Sequence, residues 1–240
     1  MLYIYSGDVP RLDQCLRRAL GSRQTLLPIP TSPAALGDAH AMADFMRSQG
    51  VHARALSARD YSDPLRLHRA LSSAQAVFLL GGNTYDFLEY ARSVGLFALL
   101  TEFEARGGII ASESAGSILL SPSIATAAIP TFEADEHTVF FEDYRAMGRI
   151  PFHISPHYDP LRRQAAQDLL ELRTLAHATR TPVLVLRDRE GVVMEGTRVT
   201  QVIGHPLWLR PDQAPPATVE LPDWTLAPTR LHSACNAATV

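Results

Sequence analysis

The chain has 240 residues, is 46% hydrophobic and 20% charged, and carries a formal net charge of -3. That length and mix describe one α/β domain with a substantial core, taken here as residues 1–240, and they give no basis for a polyanion partner such as a nucleic acid. All 22 basic residues are Arg, and their scatter along the chain reads as coding bias rather than a binding surface.

The N-terminus, Met1-Leu2-Tyr3-Ile4-Tyr5-Ser6-Gly7, reads as a first strand and not as a signal peptide, and no run approaches the roughly 20 apolar residues needed to span a bilayer. Further short apolar runs predict strands at Thr25 to Ile29, Val51 to Leu56, Ala76 to Leu80 and Gly108 to Ala111, with helices between them. From Ser32 to Gln49 the helical pattern is explicit: Ser32 can cap, Pro33 suits the first helical position, and Gly50 ends the run. Strands alternating with helices predict a mainly parallel sheet flanked by helices.

After Pro122 periodicity fades, and the stretch to Arg149 is expected to form a long loop with one short helix, of the kind that often covers an active site. Order returns with a strand from Ile150 to Ser155, a helix from about Asp159 to Ala178 and a strand at Val183 to Leu186. Val192 to Met194 and Arg198 to Ile203, separated by Glu195-Gly196-Thr197, predict a closing β-hairpin. Residues 205–240 form a Pro-rich segment with no clear pattern. Cys15 and Cys235 fall in no metal-ligand or Cys-x-x-Cys spacing, so a reduced, cytoplasmic protein without metal or membrane association is expected.

The chemistry concentrates at Ile109 to Ser117, where an apolar strand runs into small residues and then a helix. A nucleophilic serine needs this setting: a tight strand-to-helix turn lifts the hydroxyl from the sheet, and the residues two before and two after must be small. Ser112 and Gly116 meet that condition around Ser114, and the N–H of Ala115 can face a developing oxyanion. The plainer alternative is that Ser114 only caps a helix. Two further segments weigh against it. Val77 to Thr84 ends in Gly81-Gly82, where the absence of a Cβ lets backbone N–H groups approach a ligand, so Gly82 can be a second oxyanion donor. Phe152 to Pro160 puts His157 at the C-terminal edge of a strand, where open α/β sheets bind ligands, and makes it the candidate base. The orienting acid is expected just after Val183 to Leu186, with Asp188 first and Glu190 as the alternative. The order nucleophile, histidine, acid differs from that of α/β-hydrolases and argues against an ordinary esterase or lipase.

Gly81-Gly82-Asn83-Thr84, Ser114-Ala115-Gly116 and Pro156-His157-Tyr158, with their spacing, resemble the peptidase E family of aspartyl dipeptidases and the related cyanophycinases. The resemblance implies a fold like that of class I glutamine amidotransferases and serine-type hydrolysis of Asp-x peptides without a cofactor. It carries the triad to Ser114, His157 and Asp188, and an arginine that reads the acidic side chain to Arg162 or Arg163. Asn83 or Thr84 is expected to help anchor the substrate amine. The chain departs from the family at Ser112, commonly Gly, and at Asp188, typically Glu. Short peptides are the expected partners, and a homo-oligomer is left open. The rival readings are a hydrolase of the same superfamily with another specificity, and an amidotransferase-like binding protein without catalysis.

Overall fold

The computed structural model describes residues 1–7, 10–21, 24–129, 135 and 141–213. In chain order the elements are β1 (Leu2–Tyr5), α1 (Pro10–Leu20), β2 (Thr25–Ile29), α2 (Leu36–Ser48), β3 (His52–Ala53), α3 (Ala58–Ser62), α4 (Pro64–Ser73) and β4 (Ala76–Leu79). They continue with α5 (Thr84–Ser93), α6 (Leu96–Ala105), β5 (Ile109–Glu113), α7 (Ala115–Leu119), β6 (His153–Ser155), α8 (Ala165–Thr179), β7 (Val183–Val185), β8 (Gly191–Glu195), β9 (Arg198–Ile203) and β10 (Leu207–Leu209).

Seven strands form one sheet in the order β3-β2-β4-β5-β1-β8-β9. The pairs from β3 to β1 are parallel, and β8 and β9 close the sheet as an antiparallel hairpin. Both faces are covered, so the central strands are buried throughout rather than alternating with solvent. Alternate residues still serve different layers. Leu2 and Ile4 of β1 and Val77 and Leu79 of β4 pack with helices α4 to α7. Tyr3, Tyr5, Ala76 and Phe78 pack against Leu12 and Leu16 of α1 and Ala39, Ala43 and Met46 of α2.

The sequence leads one to expect a single sheet, but β6, β7 and β10 form a separate three-stranded one. β6 and β7 run parallel, while β10 returns antiparallel to β7 within a stretch whose sequence gives no strand pattern. Leu169, Leu172 and Ala176 of α8 pack on Val183 and Val185 to give this sheet its own core.

Several boundaries move. The strand expected at Val51 to Leu56 is regular only over His52–Ala53. Ser32 accepts no side-chain cap hydrogen bond, and Pro33–Ala35 form a 3-10 turn before α2. The helix expected from Asp159 starts at Ala165, because the Asp159 carboxylate instead accepts the Leu161 N–H at 3.0 Å and pairs with Arg162 at 3.4 Å, closing a local turn. Between Pro122 and Arg149 the described residues include a 3-10 turn at Ala125–Ala128. Cys15 is buried and its thiol faces Gln201 Oε1 at 4.0 Å, and Cys235 lies outside the described residues. Among the described residues no helix is long and apolar enough to cross a membrane.

Candidate active site

Ser114 stands between the end of β5 and the first residue of α7, with φ 48° and ψ -113°. A non-glycine residue there stores roughly 1–3 kcal/mol of backbone strain, and it persists only where surroundings hold it. The hold is visible on both sides. The Ser114 N–H donates to Tyr5 O of β1 at 3.2 Å. Ser117 donates its hydroxyl to Tyr5 O at 2.9 Å, and its Oγ lies 3.0 Å from Ser112 Oγ. Gly116 presses on β4: a Cβ there would lie 2.3 Å from Leu79 O, so only glycine fits. Ser112, which replaces the glycine common in the resembled family, is fully buried and hydrogen-bonded rather than crowding the turn.

His157 follows β6 with φ 57°, another left-handed residue at the site. Its backbone N–H donates to Ser6 Oγ at 2.8 Å, which fixes the residue to the end of β1. The ring then reaches both neighbours, with Nε2 2.8 Å from Ser114 Oγ and Nδ1 2.7 Å from Asp188 Oδ1. Those distances suit a base that takes a proton at Nε2 while Nδ1–H is held by a carboxylate. The Asp188 side chain is 72% exposed, so its charge acts from the solvent edge of the site.

Glu190 does not reach the histidine. Its side chain is 4% exposed and ties the β7–β8 connection together. Oε1 accepts from Arg187 Nη2 at 2.7 Å and from the His205 N–H at 2.9 Å, and Oε2 accepts the Arg187 N–H at 2.9 Å. The structure therefore joins Ser114, His157 and Asp188, and gives Glu190 a structural role.

Gly81 lies against Ser114: a Cβ there would be 3.3 Å from Ser114 Cβ. Gly82 adopts φ 136° beside Thr31, whose Oγ1 would meet a Cβ at 2.5 Å. Gly81 thus carries bare backbone to the edge of Ser114, Gly82 follows it in the chain, and Ala115 begins α7 immediately after Ser114.

The expected substrate anchors fare differently. Asn83 Oδ1 accepts the N–H groups of Tyr85 and Asp86, so its side chain caps α5. Thr84 does line the cavity at Ser114 and His157. Arg162 and Arg163 sit in the turn before α8 and contribute nothing to that cavity's lining.

The cavity is small, with about 30 Å³ of free volume, and is walled by Ile118, Ala127, Ile129 and Pro156. Asp135, in the segment expected to form the long loop, also lines it, and Oδ2 accepts the Thr84 N–H at 2.7 Å. A wider groove of about 480 Å³, with Met42, Phe45 and Leu80 in its wall, opens at Gly81 and Glu113. Sequence reading passed over Ser6, Gly7 and Asp135. Gly7 leaves room for the His157 and Asp188 side chains, since a Cβ there would lie 3.3 Å from Asp188 Oδ1 and 3.4 Å from His157 Cε1. The Ser6-Gly7 pair right after a central strand was the available signal; an acid inside an aperiodic loop offered none. Among the described residues no group of His, Cys, Asp and Glu side chains is arranged to hold a metal ion.

A model of peptidase family S51 matches residues 4–202. A peptidase E of Streptomyces coelicolor is 33% identical over 155 residues, covering 62% of this chain and 57% of its own length. An uncharacterized peptidase of Listeria monocytogenes is 25% identical over 123 residues, covering 51% of this chain and 58% of its own. The chain thus spans under two thirds of the length of the curated relatives it matches. In fold, it superposes on the crystal structure of a Listeria monocytogenes protein assigned as a peptidase E with a TM-score of 0.64, at 22% identity, over 87% of this chain and 97% of that one.

Proposed function

The chain belongs to peptidase family S51, a family of serine peptidases, and we propose that it hydrolyses short peptides with Ser114 as nucleophile, His157 as general base and Asp188 as the acid that orients the histidine. The observation that carries this reading is the continuous pair of contacts from Ser114 Oγ to His157 Nε2, 2.8 Å, and from His157 Nδ1 to Asp188 Oδ1, 2.7 Å.

The mechanism follows from those contacts. Ser114 Oγ attacks the peptide carbonyl as His157 Nε2 takes its proton, and the new oxyanion is met by the N–H groups of Gly82 and Ala115. The protonated His157 gives that proton to the leaving amine as the C–N bond breaks. A water then attacks the acyl-enzyme with His157 again as base, releasing the acid and restoring the Ser114 hydroxyl. The groove at Gly81 suits the departing portion, because it is roomier than the small cavity and Gly81 itself lies against Ser114.

Cleavage after an N-terminal aspartate is the specificity that the resemblance to the aspartyl dipeptidases brings to this proposal. A second reading, a peptidase of the same family that takes neutral residues, is favoured by one observation: among the described residues no arginine lines the cavity at Ser114. A panel of dipeptides with Asp, Glu, Asn, Leu and Ala at the N-terminal position, assayed with wild-type and Ser114→Ala protein, separates the two. Selective Asp-x turnover that disappears in the variant supports the first reading, and equal turnover of neutral residues the second. Turnover that survives Ser114→Ala sinks the assignment of Ser114 as nucleophile, and no turnover of any peptide sinks both readings and favours a binding role.

A further inference from the structure

One group in the catalytic cavity has no part in the reaction just described, the carboxylate of Asp135. Its backbone N–H donates to Ala127 O at 3.1 Å, and Oδ2 accepts from Thr84 at the first turn of α5. Burial pushes this carboxyl up from its ordinary value of 3.8; hydrogen bonds from Thr84 oppose that push, the Asp86 carboxylate adds to it, and His157 counters it. A carboxylate drawn out of water is costly unless a cation meets it. Among the described residues the lining includes no arginine, and both ring nitrogens of His157 are engaged by Ser114 and Asp188. The cation is then best supplied by the substrate.

We propose that Asp135 receives the free α-ammonium group of the peptide, so that the residue transferred to Ser114 is the N-terminal one. This deepens the reading of Ser114 and His157 as the hydrolytic pair and rests on it. Size selects the α-ammonium over a basic side chain: about 30 Å³ admits a group the size of one or two waters, not the stem of a lysine or arginine. Spacing agrees, because an α-nitrogen lies only about 2.5 Å from its own carbonyl carbon, so the carboxylate and the nucleophile must face the same small space. Asp135 and Ser114 do. An N-acylated peptide would leave the carboxylate unpaired and add bulk where there is none, which excludes internal peptide bonds and confines cleavage to the first one.

The test is calorimetric titration of Ser114→Ala protein with Asp-Leu and Ala-Leu and with their N-acetyl forms, repeated in the Ser114→Ala, Asp135→Asn double variant. The single variant is expected to bind the unblocked peptides about 10- to 30-fold more tightly, as for a half-buried charge pair, and Asp135→Asn to remove most of that preference. Equal affinity for both forms, preference that survives Asp135→Asn, or no binding of either unblocked peptide at millimolar concentration overturns the proposal. Fluorophosphonate labelling of wild-type and Asp135→Asn protein reports separately on the nucleophile. It modifies Ser114 in both if the hydrolytic reading is right, and in neither if that reading is wrong, whatever the titrations give.

Discussion

Ser6 Oγ accepts the backbone N–H of His157 at 2.8 Å, so the base is held by a hydroxyl of the first strand's end, 151 residues earlier in the chain. Ser6 is fully buried, and removing its oxygen leaves that N–H without its partner. Ser6→Ala is expected to cost about 1–3 kcal/mol of stability and to lower kcat about tenfold by loosening the imidazole. Urea unfolding and steady-state kinetics check both. Unchanged kcat would mean that His157 is positioned by its ring contacts alone.

Asp188 and Glu190 separate cleanly by experiment. Asp188→Asn is expected to reduce kcat/KM roughly 10²-fold with little change in Tm, a smaller effect than for a buried triad acid because the carboxylate is largely in water. Glu190→Gln breaks a buried pair with Arg187 and should lower stability by about 3 kcal/mol, while the surviving folded protein keeps its turnover number. The reverse pattern, with Glu190→Gln inactive and fully stable, would reassign the acid.

Gly7 and Gly116 tolerate different amounts of change. A Cβ at residue 7 meets Asp188 and His157 at 3.3–3.4 Å, a contact relieved by shifts of a few tenths of an ångström, so Gly7→Ala is expected to fold normally and lose activity about tenfold. Gly116→Ala meets the rigid carbonyl of Leu79 at 2.3 Å and should fail to fold or fold with the elbow displaced. Thermal unfolding beside fluorophosphonate labelling of Ser114 distinguishes these outcomes.

Asp135→Asn should stabilise the protein at neutral pH. Its carboxyl is raised on folding, so the folded state holds the proton more tightly than the unfolded chain. The relative stability this gives is present below the ordinary carboxyl value of 3.8 and is lost as pH rises through the raised one, leaving a constant penalty above it. Asp86, His157 and Tyr85 are the titratable groups coupled to it. The Tm gain of the variant should therefore be full at pH 7 and shrink toward pH 3; a loss of Tm at pH 7 would mark Asp135 as a structural acid.

Much of this site was legible before any coordinates, because its parts sit where strands end. The apolar runs at Leu2 to Tyr5 and Thr25 to Ile29 match the observed strands, that at Ala76 to Leu80 overruns its strand by one residue, and each parallel strand delivers its C-terminal residues to one edge. Local patterns carried no record of pairing partners. β8 returns to β1 while β6 and β7 leave to form another sheet with β10, a choice made by tertiary packing. Nor do Arg162 and Arg163 differ in sequence from arginines that enter a pocket. Their place is decided by the Asp159 turn that delays α8.

Consecutive residues at the end of β1 grip the proposed nucleophile and base: Tyr5 O holds the Ser114 N–H, and Ser6 Oγ holds that of His157. Neither hold exists until the segments around residues 114 and 157 have both docked on the N-terminal strand. The strained φ of Ser114 cannot outlast the loss of that docking, so a chain emerging from synthesis or partly unfolded would carry a serine and a histidine but no activated hydroxyl. Assembly would thus work as a safety catch, with the proposed hydrolytic activity arriving only with the finished sheet.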